Sequence, residues 1–547
     1  METLKKYKWL IIIILICIIK IIFTSVQDIN ANISLLYDDT LIVKQANSII
    51  SGNWLGEYNC LTLVKGAFAP LFIAFLNIIQ VPFLIGQEIM YDISIIFLTL
   101  VLSKKIENKK ILVIISIILL FNPIMYCSEL IRVYRDGIYV SLIVFLIALT
   151  IGLFLNRKEK IKKIVLYQIG LGFALSAIYL CREDFIWIIP YLIGTVIITI
   201  CYILRDKELH NKIKRVNTYF IPICIFTIII LTVMSINYKY YGVFQLNQYW
   251  GKEFKEAYGA LTRIKVEEKR KVPITREALS IAYKISPTFA ELKDYLEGEE
   301  GKKWAMCGDG DSVEIQGGWI HWAIIRAVES KGYYKDAKTA NEFYRRVSDE
   351  INKACDEGVV DAYPKRVSNT GRFDVEDIIN TFKKSVDTIK YQSKYYLVKI
   401  KGTPPRTIKE NDEKIVKTFQ NVTNQNVISG DTYKGTENKI KVNVLNNILK
   451  TYQKINPILF LVSIFISIIY IINNFIKKDK KEFVWILLGL WGIYYSRIFI
   501  ITFTNITMYT EAINISYLAP TYVIQLLISM LTILLLLKNI GTKIIKN

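Results

Sequence analysis

The chain has 547 residues, of which 52% are hydrophobic, and its mean hydropathy is +0.33. These values exclude an ordinary soluble protein, and the length excludes a single small domain. The net charge of +21 does not indicate nucleic-acid binding, because most Lys and Arg residues stand in short clusters directly after apolar runs. That arrangement is typical of loops that face an anionic cytoplasmic leaflet of a membrane.

Ten apolar segments are long enough to cross a bilayer core, which needs about 20 residues of helix. They are 9–26, 84–102, 111–127, 138–156, 164–181, 185–204, 217–236, 456–476, 483–502 and 515–537. One further apolar stretch, 67–83, contains Pro70 and Pro82, which leave only about a dozen residues of uninterrupted helix. Because that length is too short to cross, we predict that this stretch is a helix in the membrane interface.

The distribution of positive charge predicts the orientation. With the N-terminus inside, the predicted cytoplasmic loops and tails carry 24 Lys and Arg residues, and the short outer loops carry 5. Treating 67–83 as a span would invert every later loop and place most of this charge outside. We therefore predict a multi-pass protein of the cell membrane with both termini in the cytoplasm.

The predicted fold class is mainly α, a polytopic helical membrane protein with a mostly helical extracytoplasmic domain. It divides into an N-terminal membrane module, an extracytoplasmic soluble domain and a C-terminal membrane module, at 1–239, 240–455 and 456–547. Apolar residues at spacings of three and four from Ala340 to Cys355 predict an amphipathic helix that ends before Gly358. The polar stretch 406–445 is predicted to be a loosely packed return to the membrane.

The first predicted outer loop, 37–79, begins with two acidic residues. Asp38 and Asp39 follow the first span, and Lys65 precedes the short apolar stretch. One interpretation is structural, with Asp39 as the cap of a helix that starts at Thr40 and the loop as a solvated connector. A functional interpretation depends on what stands in the neighbouring loops.

Two further outer loops place arginine beside carboxylates. The second, 128–137, reads SELIRVYRDG and includes Arg135 and Asp136, and the third contains Arg182 in the sequence Arg-Glu-Asp. These residues are interface anchors in the simplest interpretation. Arginine, however, holds phosphate through paired charge-assisted hydrogen bonds. Arg497, inside the ninth predicted span, also needs a partner, and an intramembrane arginine is a functional candidate.

The arrangement resembles the GT-C superfamily of membrane glycosyltransferases, in particular the branch of protein O-mannosyltransferases and aminoarabinose transferases. Asp38 and Asp39 match the acidic position after the first span, and YRDG around Asp136 resembles the second acidic position. The stretch WLGEYNCLTLVKG-x-x-x-PLFIAF is similar to the family's K/H-x-x-PL segment, although a Lys-Gly pair replaces its His or Lys-Pro-Pro. The stretch SYLAP at 516–520 resembles its RY-x-x-P motif, with Ser516 in place of the arginine.

This resemblance covers about residues 1–236 and, more weakly, 515–525, and it implies a chemistry. Such an enzyme passes a sugar from a polyprenyl-phosphate carrier to an acceptor hydroxyl with inversion of the anomeric centre. One carboxylate suffices as general base, because phosphate is already a good leaving group. We predict Asp39 as this base, Asp38 as its neighbour or substitute, and Asp136 as the group that orients the acceptor or the base. The candidate phosphate contacts are Lys65, Arg135, Arg182 and Arg497.

Several alternatives stay open at this stage. No cofactor is implied, and a metal ion bridging Asp39 and Asp136 remains an option without positive support. The expected partners are a polyprenyl-phosphate-linked sugar, membrane lipid and an acceptor that is a protein, a lipid or a glycan. A transporter or flippase of a lipid-linked saccharide would show inverted repeats and interrupted spans, and neither is visible. A receptor or scaffold would tolerate the change Asp39→Asn.

Two further pairs of residues are notable. Glu88 and Asp92 are four residues apart near the outer end of the second span, so they share one helical face. We expect that face to meet a wet cavity or the interface rather than to act in catalysis. Cys307 and Cys355 lie in the same predicted domain and could pair if that domain is extracytoplasmic.

Overall fold

The computed structural model describes the chain except residues 1, 25–28, 30, 32, 34–35, 269, 309–312, 401–412, 428–438, 478–481 and 540–547. The described part is mainly helical, and it contains two isolated β-bridges but no strand. The helices up to residue 241 are α1 (Glu2–Thr24), α2 (Asp39–Ile50), α3 (Phe68–Ile78), α4 (Phe83–Leu102), α5 (Lys109–Leu120), α6 (Asp136–Asn156), α7 (Ile161–Cys181), α8 (Ile189–Arg205), α9 (Lys212–Asn217) and α10 (Phe220–Tyr241).

Helices of 4 to 20 residues follow in the middle of the chain, and three longer helices stand at its end. The middle helices are α11 (Lys252–Leu261), α12 (Arg276–Ile285), α13 (Pro287–Ala290), α14 (Lys293–Glu297), α15 (Glu299–Ala305), α16 (Gly317–Ser330), α17 (Ala337–Asp356), α18 (Val375–Ser393) and α19 (Glu413–Thr423). The last three are α20 (Lys439–Ile476), α21 (Glu482–Thr507) and α22 (Ile515–Asn539).

Nine segments of the described chain are long and apolar enough to cross a membrane, and each coincides with a predicted span. The remaining predicted span, 9–26, falls on α1. Helix α20 contains the predicted span 456–476 and begins before it, at Lys439. Leu445 and Leu449, in the early part of this helix, are buried in the same core as the spans, which explains why the helix starts before its apolar stretch.

The short apolar stretch at the end of the first outer loop forms α3, which has 11 residues. That length agrees with the prediction of a helix too short to cross. Helix α19 packs on both α2 and α3 and buries Phe419 and Val422. The stretch 406–445 is therefore not loose throughout, because this amphipathic part of it is packed; residues 401–412 and 428–438 lie outside the described residues.

The loops predicted to share one side of the membrane do lie together. At one end of the bundle, Glu482 pairs with Arg157 and, at 2.7 Å, with Lys105, which joins three predicted cytoplasmic segments. Helix α6 runs from that end, beside Arg157, to the opposite end at Asp136. The three charged outer loops meet at this opposite end, so the loops are grouped into two sides as predicted, and the orientation of those sides stays a prediction.

The middle of the chain forms a second apolar core of its own. Helix α17 ends near Gly358 as predicted, and that glycine has a φ of +73°. Cys60 of the first outer loop is buried in this core, and Arg326 donates a hydrogen bond to the Tyr37 hydroxyl at 3.0 Å. The first outer loop thus attaches the helical domain to the membrane module. Both Cys307 and Cys355 are free thiols.

Candidate functional site

The charged residues of three predicted outer loops meet in one group at the outer end of the bundle, together with one residue of α21. We call this group the outer cluster. Its members are Asp38, Asp39, Lys65, Arg132, Tyr134, Arg135, Asp136, Arg182, Glu183, Asp184 and Arg497.

Asp38 is the most accessible carboxylate of the predicted acidic pair. It accepts hydrogen bonds from Lys65 Nζ at 2.7 Å and from the Tyr134 hydroxyl at 3.0 Å. Its side chain is 34% exposed, whereas that of Lys65 is 7% exposed. Burial tends to raise the pKa of Asp38, but the charges of Lys65 and Arg132 outweigh burial and hold this pKa well below its usual value. Asp38 is therefore an ionised group that a ligand can reach.

Asp39, by contrast, is completely buried and bound to Arg132. The Arg132 guanidinium donates from Nη2 to Oδ2 at 2.5 Å and from Nε to Oδ1 at 3.1 Å. Burial raises the pKa of Asp39 to about 7, with a smaller contribution from the charges of Asp38 and Asp136, although Arg132 opposes the rise. Helix α2 starts at Asp39 and has Asp38 in its cap position. Asp39 is thus not the helix cap that the structural interpretation required.

A chain of ion pairs forms the second half of the outer cluster. Arg182 Nη1 lies 2.5 Å from Asp136 Oδ1, and Arg182 Nε lies 3.4 Å from Asp184 Oδ1. Arg497 donates from Nη1 to Asp184 Oδ2 at 2.6 Å and from Nε to the Tyr517 carbonyl at 2.8 Å. Burial tends to raise the pKa of Asp184, but the two arginines hold it well below its usual value. Arg497 therefore has the partner that its position required.

Glu183 connects the first and second outer loops. Its carboxylate accepts from Arg135 Nη1 at 2.8 Å and from the backbone N–H of Gly66 at 3.0 Å. A Cβ atom on Gly66 would stand 2.0 Å from the Leu180 carbonyl oxygen. This close backbone approach explains why glycine follows Lys65.

Aromatic rings separate the cations of the outer cluster. The Tyr134 ring centroid lies 5.1 Å from Lys65 Nζ, 5.1 Å from Arg132 Cζ and 5.4 Å from Arg135 Cζ. The Tyr517 ring lies 4.9 Å from Arg182 Cζ. Since a ring face attracts cations, these contacts offset part of the repulsion between neighbouring positive charges.

The outer cluster keeps unused hydrogen-bonding capacity. Four of its buried atoms have no hydrogen-bond partner among the described residues, and they are Arg135 Nε, Asp136 Oδ2, Arg182 Nε and Arg497 Nη2. Each unpaired buried polar atom costs about 1–3 kcal/mol. The ion pairs join five cations to five carboxylates, so the formal charges of these groups balance. An anionic ligand would therefore be held by individual donors rather than by a large net charge.

All seven residues predicted from the sequence lie in the outer cluster. Arg132, Tyr134, Glu183 and Asp184 belong to it as well but were not among the predicted site residues. Each is within three residues of one that was, so short-range proximity was the available signal. Their contacts are not readable from spacing, because each binds a residue of a different loop or helix.

An apolar groove of about 220 Å³ lies between α6, α8 and α21. Gly194 and Gly492 line it, and a Cβ atom at either position would meet no heavy atom within 4 Å. The groove follows α21 from Trp485 to Ser496, which is the neighbour of Arg497. It thus leads along the membrane-spanning region towards the outer cluster.

Glu88 and Asp92 were expected to face a wet cavity or the interface, but both are buried inside the bundle. Both bind Lys20 of α1, with Asp92 Oδ1 at 2.6 Å, and we call the three residues the Lys20 triad. Lys20 is 0% exposed, and the two carboxylates are nearly as buried. The shared helical face was predicted correctly, but its partner was missed because Lys20 stands inside a long apolar run.

In the described part of the chain, no group of three or more His, Cys, Asp or Glu side chains has an arrangement that could hold a metal ion. No family model matches this chain, and neither does any curated protein or solved structure. The resemblance to GT-C enzymes therefore stays a prediction, and the functional argument rests on the residues and geometry of the outer cluster.

Proposed function

We propose that this protein is an integral membrane glycosyltransferase. It moves a sugar from a polyprenyl-phosphate carrier to an acceptor hydroxyl at the extracytoplasmic face and inverts the anomeric centre. The observation that carries the proposal is the outer cluster, in which an accessible carboxylate, Asp38, stands beside Lys65 and several arginines. These are the groups that deprotonating a hydroxyl and holding a phosphate require.

The reaction needs one base and one set of cations. The acceptor oxygen attacks the anomeric carbon while a carboxylate takes its proton, and the bond from that carbon to the phosphate oxygen breaks with its electron pair on the phosphate. Developing negative charge on the leaving phosphate is stabilised by cations placed beforehand. Lys65 and Arg135, which are 7% and 11% exposed, supply them, and Arg135 Nε has no partner among the described residues and adds hydrogen-bonding capacity. Arg497 is 0% exposed and contributes its charge through Asp184.

Exposure divides the work between the two acidic residues. A general base must first come within hydrogen-bond distance of the proton it removes, and only then does its pKa matter. Asp38 is 34% exposed and Asp39 is 0% exposed, which favours Asp38 as the group that meets the acceptor. Lys65 binds Asp38, so a phosphate that draws Lys65 towards itself would make Asp38 more basic. Asp39, the base predicted from the sequence, acts in this proposal as a positioning residue that holds Arg132.

The groove beside α21 supports a lipid carrier as the donor. An isoprenoid chain is apolar and needs an apolar path through the membrane to a polar headgroup site. The groove is lined mostly by apolar side chains and glycines, and its outer end is Ser496, next to Arg497. A chain lying there would place its phosphate near Arg497 and the rest of the outer cluster.

The test follows label released from isotopically labelled polyprenyl-phosphate sugars in membranes that contain equal amounts of folded protein. We expect Asp38→Asn to lower the rate about 10²–10⁴-fold, the usual contribution of a positioned base. Glu57→Gln is the matched control, because Glu57 is an exposed carboxylate of the same outer loop. We expect this variant to retain the wild-type rate.

The alternatives give different results in the same assay. Equal consumption of carrier by wild type and Asp38→Asn would contradict a base at this position. Consumption by neither protein, across a panel of carrier sugars and acceptors, would contradict the enzyme proposal. Movement of intact carrier between the leaflets without loss of label would favour a flippase.

A further inference from the structure

Helix α18 presents its apolar side to the outside. Val375, Ile379, Phe382 and Val386 are spaced by four, three and four residues, so they form one row along the helix. Their exposed fractions are 71%, 48%, 52% and 53%. We call this the apolar row of α18. In a helix on the surface of a soluble domain, such a row would face the core instead.

The opposite side of α18 is polar and faces the protein. Thr381, Ser385, Thr388 and Gln392 are buried at the same spacing. The hydroxyl of Thr388 lies 3.2 Å from that of Thr502 in α21. Gln392 Oε1 accepts a hydrogen bond from the Tyr494 hydroxyl at 2.5 Å. The helix is therefore attached to a membrane-spanning helix through hydrogen bonds, and its inverted orientation is specified by them.

The apolar row continues the surface of a span. The Phe382 ring lies 5.1 Å from the ring of Phe499, and the Phe373 ring lies 5.0 Å from that of Phe503. Helix α21 is one of the candidate spans. These ring contacts and the two hydrogen bonds place α18 against the part of α21 from Tyr494 to Phe503. An apolar row that is exposed beside a candidate span is what an amphipathic helix in the membrane interface presents.

A polar cavity of about 760 Å³ opens beside the apolar row. Its walls are the charged side of α18, residues 270–272, Arg372 and the outer end of α21. Five cations line it, namely Arg270, Lys271, Arg372, Lys383 and Lys384, against three carboxylates, namely Glu376, Asp377 and Asp387. Arg270 already pairs with Glu268 and Glu314, so the excess of positive charge comes from the other four cations. Lys383 and Lys384 directly follow Phe382, so basic groups stand next to the apolar row.

We propose that α18 and this cavity form a binding site for an anionic membrane lipid. The headgroup phosphate binds in the cavity against Lys383, Lys384 and the neighbouring arginines, and the acyl chains lie along the apolar row. Two observations select this occupant: the excess of cations in the cavity and the continuity of the apolar row with a span. The site is separate from the outer cluster, and the inference does not rest on the proposed glycosyltransferase activity.

The test uses the full chain in lipid nanodiscs of phosphatidylcholine that contain a minor fraction of phosphatidylglycerol. Spin-labelled phosphatidylglycerol or phosphatidylcholine reports the lipid held at the protein surface. We expect wild type to retain phosphatidylglycerol preferentially. Each lysine near a membrane surface contributes about a fivefold preference for anionic lipid. Lys383→Gln with Lys384→Gln should therefore lower the preference about 25-fold, or to the limit of the assay.

The matched control is Lys394→Gln with Lys399→Gln, which removes the same charge from exposed lysines that do not line the cavity. Equal retention of the two lipids by wild type, or an equal loss in both double variants, would overturn the proposal. Displacement of the labelled lipid by soluble glycerol phosphate alone would show that the ligand is a free phosphate. A dimer in light scattering that Phe382→Ser converts to a monomer would show that the apolar row contacts a second copy.

Discussion

The outer cluster and the Lys20 triad are both groups of charged side chains packed among apolar helices, and they differ in what they leave open. In the Lys20 triad one cation lies between two carboxylates, and all three side chains are at most 5% exposed. In the outer cluster Asp38 is one-third exposed, and buried atoms of Arg135 and Arg497 have no partner in the described structure. The Lys20 triad also has one such atom, Asp92 Oδ2, so an unpartnered buried atom does not distinguish the two groups. Buried charge alone therefore does not mark a site of chemistry, and the accessibility of a charged group to a ligand is the difference between them.

The two groups also differ in how they are assembled. The Lys20 triad joins two helices, α1 and α4, through side chains that both helices direct inward. The outer cluster draws its members from three loops and from α21. Loops held by a rigid helical frame are where binding residues usually stand. This contrast predicts that the triad serves stability and that the outer cluster serves function.

The largest expected effect is on stability, from Lys20→Met. This change leaves two buried carboxylates without their cation, and removing one partner of a buried ion pair costs about 3–5 kcal/mol. We expect a large fall in the midpoint of thermal unfolding in detergent, with unchanged activity per folded molecule. Adding Glu88→Gln and Asp92→Asn to the same chain should restore much of the loss, because it removes the unpaired charges. A loss of activity in that stable triple variant would contradict a purely structural role.

A smaller effect, the pH dependence of the free energy of unfolding, distinguishes Asp39 from Asp38. The pKa of Asp39 is about 7 in the folded protein, against about 4 in the unfolded chain. Between these values the folded state holds the extra proton, so the free energy of unfolding falls as pH rises from about 4 to 7. Asp39→Asn abolishes this cost. From pH 5 to pH 8 its stability should therefore rise relative to wild type by about 2 kcal/mol, measured as the difference in unfolding midpoint.

Asp38→Asn is the control for that measurement. The pKa of Asp38 lies well below its usual value, so its contribution to stability is present above about pH 4 and is lost only as pH falls below that range. Its difference from wild type should therefore change much less between pH 5 and pH 8 than that of Asp39→Asn, and only because the charge of Asp38 contributes to the raised pKa of Asp39. The same pH dependence in both variants would contradict the division between a buried and an accessible carboxylate.

The smallest effect concerns the groove that leads to the outer cluster. Gly492→Leu places a side chain where the structure leaves open space. The new side chain should therefore fill the groove without displacing neighbouring side chains. Loss of about 50 Å² of apolar contact with the carrier corresponds to about 1.3 kcal/mol, or roughly a tenfold rise in KM for the carrier, with little change in kcat. Ile228→Leu, at an exposed position of α10, is the control. An unchanged KM in Gly492→Leu would remove the groove from the proposed carrier path.

Much of the site was predictable because its residues stand in short loops between unmistakable spans. Charge that follows an apolar run has to lie near the membrane surface, and loops on one side of a bundle are neighbours. Lys65, Arg135 and Asp136 were found in this way. Which carboxylate binds which cation was not predictable, because the choice between Asp38 and Asp39 depends on the approach of Arg132 from another loop.

The sequence by itself determined where the candidate spans lie and which charged residues gather in the outer cluster, because a bilayer requires long apolar helices and the charged loops between them have to lie at their ends. Only the tertiary structure decided the partners of Lys20, the early start of α20 and the inverted orientation of α18. Each of these depends on contacts between residues far apart in the chain. Local periodicity records which face of a helix is polar, but not whether that face meets water, lipid or a hydrogen-bonding partner in another helix.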